Sequence, residues 1–457
     1  MRMQATTSGR ELTPALVNRH VLFGRALEAV IWGMPVVNYD LMYQEMVRKT
    51  HGGFNQILYW SRLPDWKNQT LTPNPDVIYL MPFFNTQNGP VVLEVPPADQ
   101  GMLNGSIMNR WQAAIEDIGP DGVDKGKGGK YLVMPPGYET KEKVPAGYIP
   151  MPSDSYLGYA LIRSLPRSGS PADVAKAIAY SKRIKLYPLS EAEDPEPTVY
   201  TDASDVVFDS TIPYDLRFFE SLHRMIQAEP WLERDKAMID PLKSLGIERG
   251  RPFRPDTNTR YLLNEAVQEA RIYLESNSRA LPSFYEGEHW FFPASPEMMQ
   301  NTRGFWNIPD SYPTQNRGLV YALASFSALH VGETQYDLMA NTDKVGQPFK
   351  GDTLYRVTIP PDAPVTQYWS MTVYNRDTHA FIRNAPWVGR SSQTQGLYWN
   401  KDGSADIYFG PVAPFGKEFN WVPTDPRGRF EVLARFYGPQ RALFDKSWKL
   451  PDVQRVH

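Results

Sequence analysis

The apolar positions along this chain change their period twice. Over residues 15–50, Leu27, Val30 and Ile31 recur at helical spacing. Gly33-Met-Pro35 is expected to interrupt that helix, because proline cannot donate to the backbone ladder. Asp40 then opens a second helix carrying Leu41, Tyr43 and Met46. From residue 76 the apolar runs shorten: 76–84, 90–95, 130–134 and 156–163 are strand-like stretches fenced by Pro, Gly and Asn. No long helix separates them, which is the texture of an antiparallel sandwich or barrel. Ser170-Pro-Ala-Asp173 reads as a capped helix start. Residues 214–228 and 257–274 read as two more helices, the second with Leu263, Ala266, Val267, Ala270 and Leu274 on one face. Residues 191–197, acidic and proline-containing, form an exposed loop or linker. From about residue 318 short runs return, at 354–359, 367–374, 405–409 and 430–437, with a hairpin-turn signal at Asp402-Gly403.

This pattern predicts a mainly β protein with a helical middle. N-terminal helices occupy 1–50, a β-sandwich 51–168, a helical segment 169–317 and a second β-sandwich 318–457, both sandwiches jelly-roll-like. A chain of 457 residues suits two or three domains. Its 13% aromatic content, 25 Tyr and 41 Pro suit short strands packed with large rings. The 48 basic and 51 acidic residues form no block of like charge, so no nucleic-acid partner is indicated. No run of about 18 apolar residues is present, so no membrane span is expected. The absence of cysteine removes disulfides, thiolate metal sites and a cysteine nucleophile. Residues 1–13 are polar, without a signal-peptide core. The expectation is a periplasmic or secreted protein whose leader is removed, or a cytoplasmic one if the sequence is complete.

Common catalytic signatures are missing. The loop 124–130 resembles a phosphate-binding loop, but its glycine spacing is wrong and no Ser or Thr follows Lys130. Neither a Gly-x-Ser-x-Gly elbow nor a His-Glu-x-x-His pair occurs, and the seven histidines are scattered.

Four polar-aromatic constellations remain. In Thr72-Pro-Asn-Pro-Asp-Val-Ile-Tyr79, Asn74 and Asp76 offer oxygens just before a strand, for a base, a hard cation or an Asx-type turn. In the second, strand alternation would put Asn109 and Trp111 on one face and Arg110 and Gln112 on the other, with Glu116 and Asp117 downstream. In the third, Tyr374 ends an aromatic strand, and Asp377 beside His379 suits an acid-oriented imidazole or a polar hairpin turn. In the fourth, Lys417 and Asn420 flank Trp421 in a loop that would grip an anion or polyol, or cap the sheet edge. Polar-to-aromatic junctions at Glu286, Glu288 and His289, and a helical pair His330 and Glu333, read as structural.

The segment Tyr59-Trp-Ser-Arg-Leu-Pro-Asp-Trp-Lys-Asn-Gln-Thr-Leu-Thr-Pro-Asn-Pro-Asp-Val-Ile-Tyr79, with 89–96 and 128–134, resembles domain of unknown function 1254. The segment Tyr368-Trp-Ser-Met-Thr-Val-Tyr374, with 402–410, 420–423 and 435–439, resembles domain of unknown function 1214. The resemblance implies tandem β-sandwiches in a bacterial, commonly exported protein. That family often reads Pro-Asn-Asn-Asp-Thr-Leu-Tyr where this chain has Pro-Asn-Pro-Asp-Val-Ile-Tyr. Asn74, Asp76 and Tyr79 are kept, while Pro75 removes a donor.

The sequence therefore points to an enzyme acting on a small polar or aromatic molecule between the two β regions, by hydrolysis or lyase-type proton abstraction. Asp76, Asp377 and His379 are the catalytic candidates. Asn74, Tyr79, Asn109, Trp111, Arg317, Tyr374, Lys417, Asn420 and Trp421 are the substrate-binding ones. A divalent metal ion is the one cofactor considered, with no ligand set named, and a homo-oligomer is expected. The alternative is a non-catalytic glycan-binding or assembly protein using its Tyr and Trp faces.

Overall fold

The computed structural model describes residues 12–138, 144–304, 306, 308–324, 329–332 and 334–456. Most of the polar start 1–13, and Glu333, lie outside the described residues.

Helix α1 (Pro14–Thr50) runs unbroken through Pro35, where two helices were expected. Later parts of the chain pack closely around this point. Proline leaves the Ile31 carbonyl, four residues earlier, without its intrahelical donor. Gly318 of a later helix packs against that carbonyl so closely that a Cβ there would lie 2.5 Å from the oxygen. The Pro35 carbonyl itself accepts a 2.8 Å hydrogen bond from Gln112 Nε2. By length and composition alone α1 is apolar enough to cross a membrane, but 56% of its most apolar window is buried inside the protein. The covering surfaces are α3 (Leu216–Ala228), α4 (Thr257–Ser278) and α6 (Thr314–Leu323), which follow α2 (Pro171–Ser181) and, for the last, α5 (Pro296–Arg303). Ser170 caps α2 as expected, its Oγ accepting from Asp173 N at 3.2 Å. Residues 314–323 extend the helical layer past residue 317, because Gly318 and its neighbours must reach α1.

The rest is β-rich. One sheet has six strands in the spatial order Tyr200–Asp202 (β11), Gln56–Tyr59 (β1), Ile78–Asn85 (β3), Leu157–Ser164 (β9), Leu103–Asn109 (β5) and Ala114–Ile118 (β6). A four-stranded sheet, Lys185–Pro188 (β10), Val91–Val95 (β4), Gly129–Met134 (β7) and Tyr148–Pro152 (β8), packs against it. Leu80, Ile107 and Ile162 of the first meet Leu93, Tyr131 and Val133 of the second in one apolar core. Asn68–Gln69 (β2) pairs separately with Phe208–Asp209 (β12).

The C-terminal part has two four-stranded sheets. One runs Gln335–Ala340 (β13), Phe430–Pro439 (β19), Val365–Asn375 (β15) and Gly389–Ser391 (β16). The other runs Trp421–Pro423 (β18), Ala405–Gly410 (β17), Tyr355–Ile359 (β14) and Gln454–Arg455 (β20). The β-rich character is as expected, but the strand orders do not follow a jelly roll. Parallel pairs β1–β11, β7–β8 and β17–β18 interrupt the antiparallel ladders.

Buried polar groups join the layers. Gln112, held at a positive φ of 56°, also donates to Asn38 Oδ1 and accepts from the Tyr159 hydroxyl at 2.7 Å, while Tyr321 donates to its carbonyl. One residue thus ties α1, the six-stranded sheet and α6 together.

Candidate functional site

Cross-strand register places charge inside apolar strands. Arg163 on β9 stands directly opposite Tyr79 on β3 and Asn104 on β5, so the three side chains form one row on one sheet face. Two residues along β5, Ser106 stands opposite Asp117 of β6 and donates to its Oδ1 at 2.6 Å. On the facing sheet, Arg435 of β19 lies between Asp337 of β13 and Ser370 of β15. The two rows line a cleft of about 110 Å³ between the N-terminal and C-terminal sheets, with Phe292 and His330 also in its lining.

The charges in this cleft are unequally satisfied. Arg435 Nε lies 3.7 Å from Asp337, and the guanidinium donates to the Thr72 carbonyl at 2.8 Å and the Thr372 hydroxyl at 3.1 Å. Burial works against its charge, but the surrounding Tyr374, Asp337, Tyr437 and Tyr79 outweigh it and hold the proton more firmly than usual. Burial raises the Asp337 carboxyl, with Arg435 opposing. Arg163 differs: its Nε is buried without a hydrogen-bond partner, and no carboxylate among the described residues pairs with it. Its guanidinium carbon sits 5.6 Å from the centre of the Tyr79 ring. Asn104 Oδ1, beside it in the row, is also buried and unpartnered.

Asp117 is the most heavily bonded acid in the lining. Besides Ser106, it accepts from the backbone N–H groups of Leu329 and His330, and His330 Nδ1 lies 2.9 Å from its Oδ2. A carboxylate that fixes Nδ1 leaves Nε2 to exchange a proton with a neighbouring group. Among the described residues no group of three or more His, Asp and Glu side chains is arranged to hold a metal ion, so no step is routed through one.

The residues singled out in the sequence fall into four separate places. Asn74, Asp76, Tyr79 and Tyr374 do gather, around Arg435. Asn74 donates to the Tyr437 hydroxyl and, through its backbone, to Tyr79 at 2.9 Å, while Tyr374 donates to the Pro73 carbonyl at 2.6 Å. Of the four, Tyr79 lines the cleft. Asp76 is not part of the lining; it is partly buried, and burial lifts its carboxyl to about 6 against the pull of Arg435.

Asn109, Trp111 and Arg317 meet elsewhere, at the junction with the helices. β5 ends at Asn109, so the expected alternation through residue 112 does not hold. Trp111 is buried 4.8 Å from Trp32, Arg317 donates to the Trp111 carbonyl, and Asn109 donates to Asp154 at 2.7 Å. All three are held by packing.

Asp377 does not orient His379. Asp377 is 48% exposed and pairs with Arg271 and Arg429. His379 Nδ1 instead meets the buried Glu431 at 2.7 Å, whose other oxygen accepts from Arg376 at 3.1 Å. Lys417 lies 4.2 Å above the Tyr398 ring, Asn420 is buried bonding the backbone of Tyr398 and Asp406, and Trp421 donates to the Gly410 carbonyl. None of these lines the cleft.

The residues missed are Asn104, Ser106, Arg163, Asp337 and Arg435, while Asp117 and His330 were noticed but not together. A signal was present: Arg163 inside 157–164, and Arg435 with Glu431 inside 430–439, interrupt mostly apolar strands, and charge is rarely buried without a reason.

Residues 54–188 match the family described as "Protein of unknown function (DUF1254)", and residues 334–441 match "Protein of unknown function (DUF1214)". The chain belongs to the family that carries these two uncharacterised domains in tandem. The cleft lining draws Tyr79, Asn104, Arg163 and Asp117 from the first and Thr334, Asp337 and Arg435 from the second. Among solved structures, the chain is similar to the VPA0106 protein from Vibrio parahaemolyticus. The identity is 18% and the TM-score 0.57, over 95% of this chain and 100% of that one, a likeness of fold. An uncharacterised protein from Burkholderia cenocepacia aligns at 10% identity and TM-score 0.43, over 96% and 95% of the two chains. No curated protein matches.

Proposed function

We propose that this protein is an enzyme performing acid–base chemistry on a small polar molecule in the cleft between its two family-matched regions. The observation that carries the reading is the Asp117–His330 pair in the lining, facing a cleft that already holds Tyr79, Arg163, Asp337 and Arg435. His330 Nε2 is the atom that takes or returns a proton, and Asp117 orients the ring through Nδ1. Hydrolysis and lyase-type proton abstraction are the reactions such a pair serves. Asp76 and Asp377 are not assigned as bases in this reading, because neither lines the cleft and the second is a surface ion-pair partner.

The test is to incubate the full chain with pooled small polar metabolites and compare proton NMR spectra before and after. The expected result is one pool altered by the natural protein and left unaltered by His330→Gln. Equal turnover by His330→Gln overturns the assignment. Saturable binding without any altered pool favours the non-catalytic binder instead.

A further inference from the structure

Arg163 and Asn104 both line the cleft, and each carries one buried polar atom without a hydrogen-bond partner among the described residues, while Tyr79 bonds the rest of the guanidinium. Arg163 Nε is a donor on a cation, and Asn104 Oδ1 is an acceptor. Leaving such groups unmet costs a folded protein free energy, and a ligand that meets both recovers it. The acids nearby do not do so. Asp337 is close enough to influence Arg163, but it is already bonded by Gln335 at 2.7 and 2.9 Å and lies against Arg435. Asp117 is engaged by Ser106, two backbone N–H groups and His330. Asp121, also in the lining, has an interaction of its own.

We infer that the cleft takes a small carboxylic acid that also carries a hydroxyl or amino group. Its carboxylate sits on Arg163 and its donor reaches Asn104 Oδ1. This rests on the cleft being the functional site, and it names the substrate class for that site. Guanidinium presents paired N–H groups in a plane that matches a carboxylate, and a charge-assisted contact in a secluded cleft is among the stronger polar interactions. Adjacent strands lie about 5 Å apart, so a carboxylate and a hydroxyl or amino group on neighbouring carbons span the two residues. Asp117, Asp121 and Asp337 in the same lining suit the donor end of that molecule and disfavour a second free carboxylate.

The experiment is calorimetric titration of the full chain with short 2-hydroxy, 3-hydroxy, 2-amino and unsubstituted carboxylates, each beside its methyl ester. Acids are expected to bind, with the esters weaker by roughly tenfold or more. Arg163→Gln should erase the difference between acid and ester. Asn104→Leu should reduce hydroxy acids to the affinity of the unsubstituted acids. Esters binding as well as acids, or no acid binding at all, overturns the inference, and this comparison needs no variant to fold. His330→Gln separates the two readings. If it binds acids normally and turns none over, both stand. If it turns them over like the natural protein, the acid–base reading fails while the carboxylate inference survives. If esters and acids are equivalent but His330→Gln is inactive, only the substrate class is wrong.

Discussion

Replacing Asp76 by Asn should make the protein more stable at neutral and alkaline pH and leave it nearly unchanged in acid. Burial lifts this carboxyl from 3.8 to about 6 in the folded state, even with Arg435 pulling the other way. The folded protein therefore prefers the protonated form. That preference contributes fully below the unfolded value near 4 and is lost as pH rises through about 6. Carrying the carboxyl from 3.8 to about 6 corresponds to about 3 kcal/mol, the cost to the fold of an ionised Asp76 at about pH 8. Asn has nearly the same shape and no charge, so Asp76→Asn removes that cost. Asp337, Glu229 and Asp235 are also raised by burial and add their own loss of stability with pH, but the difference between variant and natural protein isolates Asp76. Urea unfolding followed by tryptophan fluorescence, run at several pH values between about 4 and about 8, measures it. The two curves should coincide in acid and separate by up to about 3 kcal/mol at the alkaline end. Identical pH responses, or a variant clearly less stable at about pH 8, would refute the reasoning.

Two substitutions probe what holds the site in place. Gly318→Ala sets a Cβ 2.5 Å from the Ile31 carbonyl, so α1 and α6 must part, and thermal unfolding should show a loss of about 1–3 kcal/mol. Glu431→Gln takes the charge from the buried acceptor shared by His379 and Arg376. It should cost about 3 kcal/mol in chemical denaturation with no change in ligand affinity, because this network lies outside the cleft.

The strands were the most legible part of the fold. Residues 78–85, 91–95, 129–134 and 157–164 are short apolar runs bounded by turn residues, and each forms a strand. The cap at Ser170 was equally clear, since it depends on residues within one turn. Pro35 misled because the rule that proline ends a helix is local, whereas Gly318 and Gln112 come from far along the chain to make its neighbourhood tolerable. Trp111 misled in the same way, since its aromatic partner is Trp32 of α1.

The candidate site was legible only in fragments. Thr72 to Tyr79 stands out as a polar-aromatic segment, yet nothing local says that Arg435 lies in its midst. Asp117 and His330 stand 213 residues apart, and Asp377 looked like the natural partner of His379 because it is adjacent in sequence. Glu431 wins that contact because the strand β19 presents it, fully buried, beneath the imidazole. Partners separated by whole domains are set by sheet register and inter-sheet packing, which a pattern of apolar residues constrains only in outline.

The central claim is that the cleft shared by the two family-matched regions is where this protein works. Hydrogen–deuterium exchange of the full chain, with and without the tightest-binding hydroxy or amino carboxylate, tests it most directly. Exchange should slow in β5 and β6, around His330 and along β13, with the rest of the chain unaffected. Slowing confined to another surface, such as the exposed Tyr398, Trp399 and Phe419, or no slowing at saturation, would contradict it.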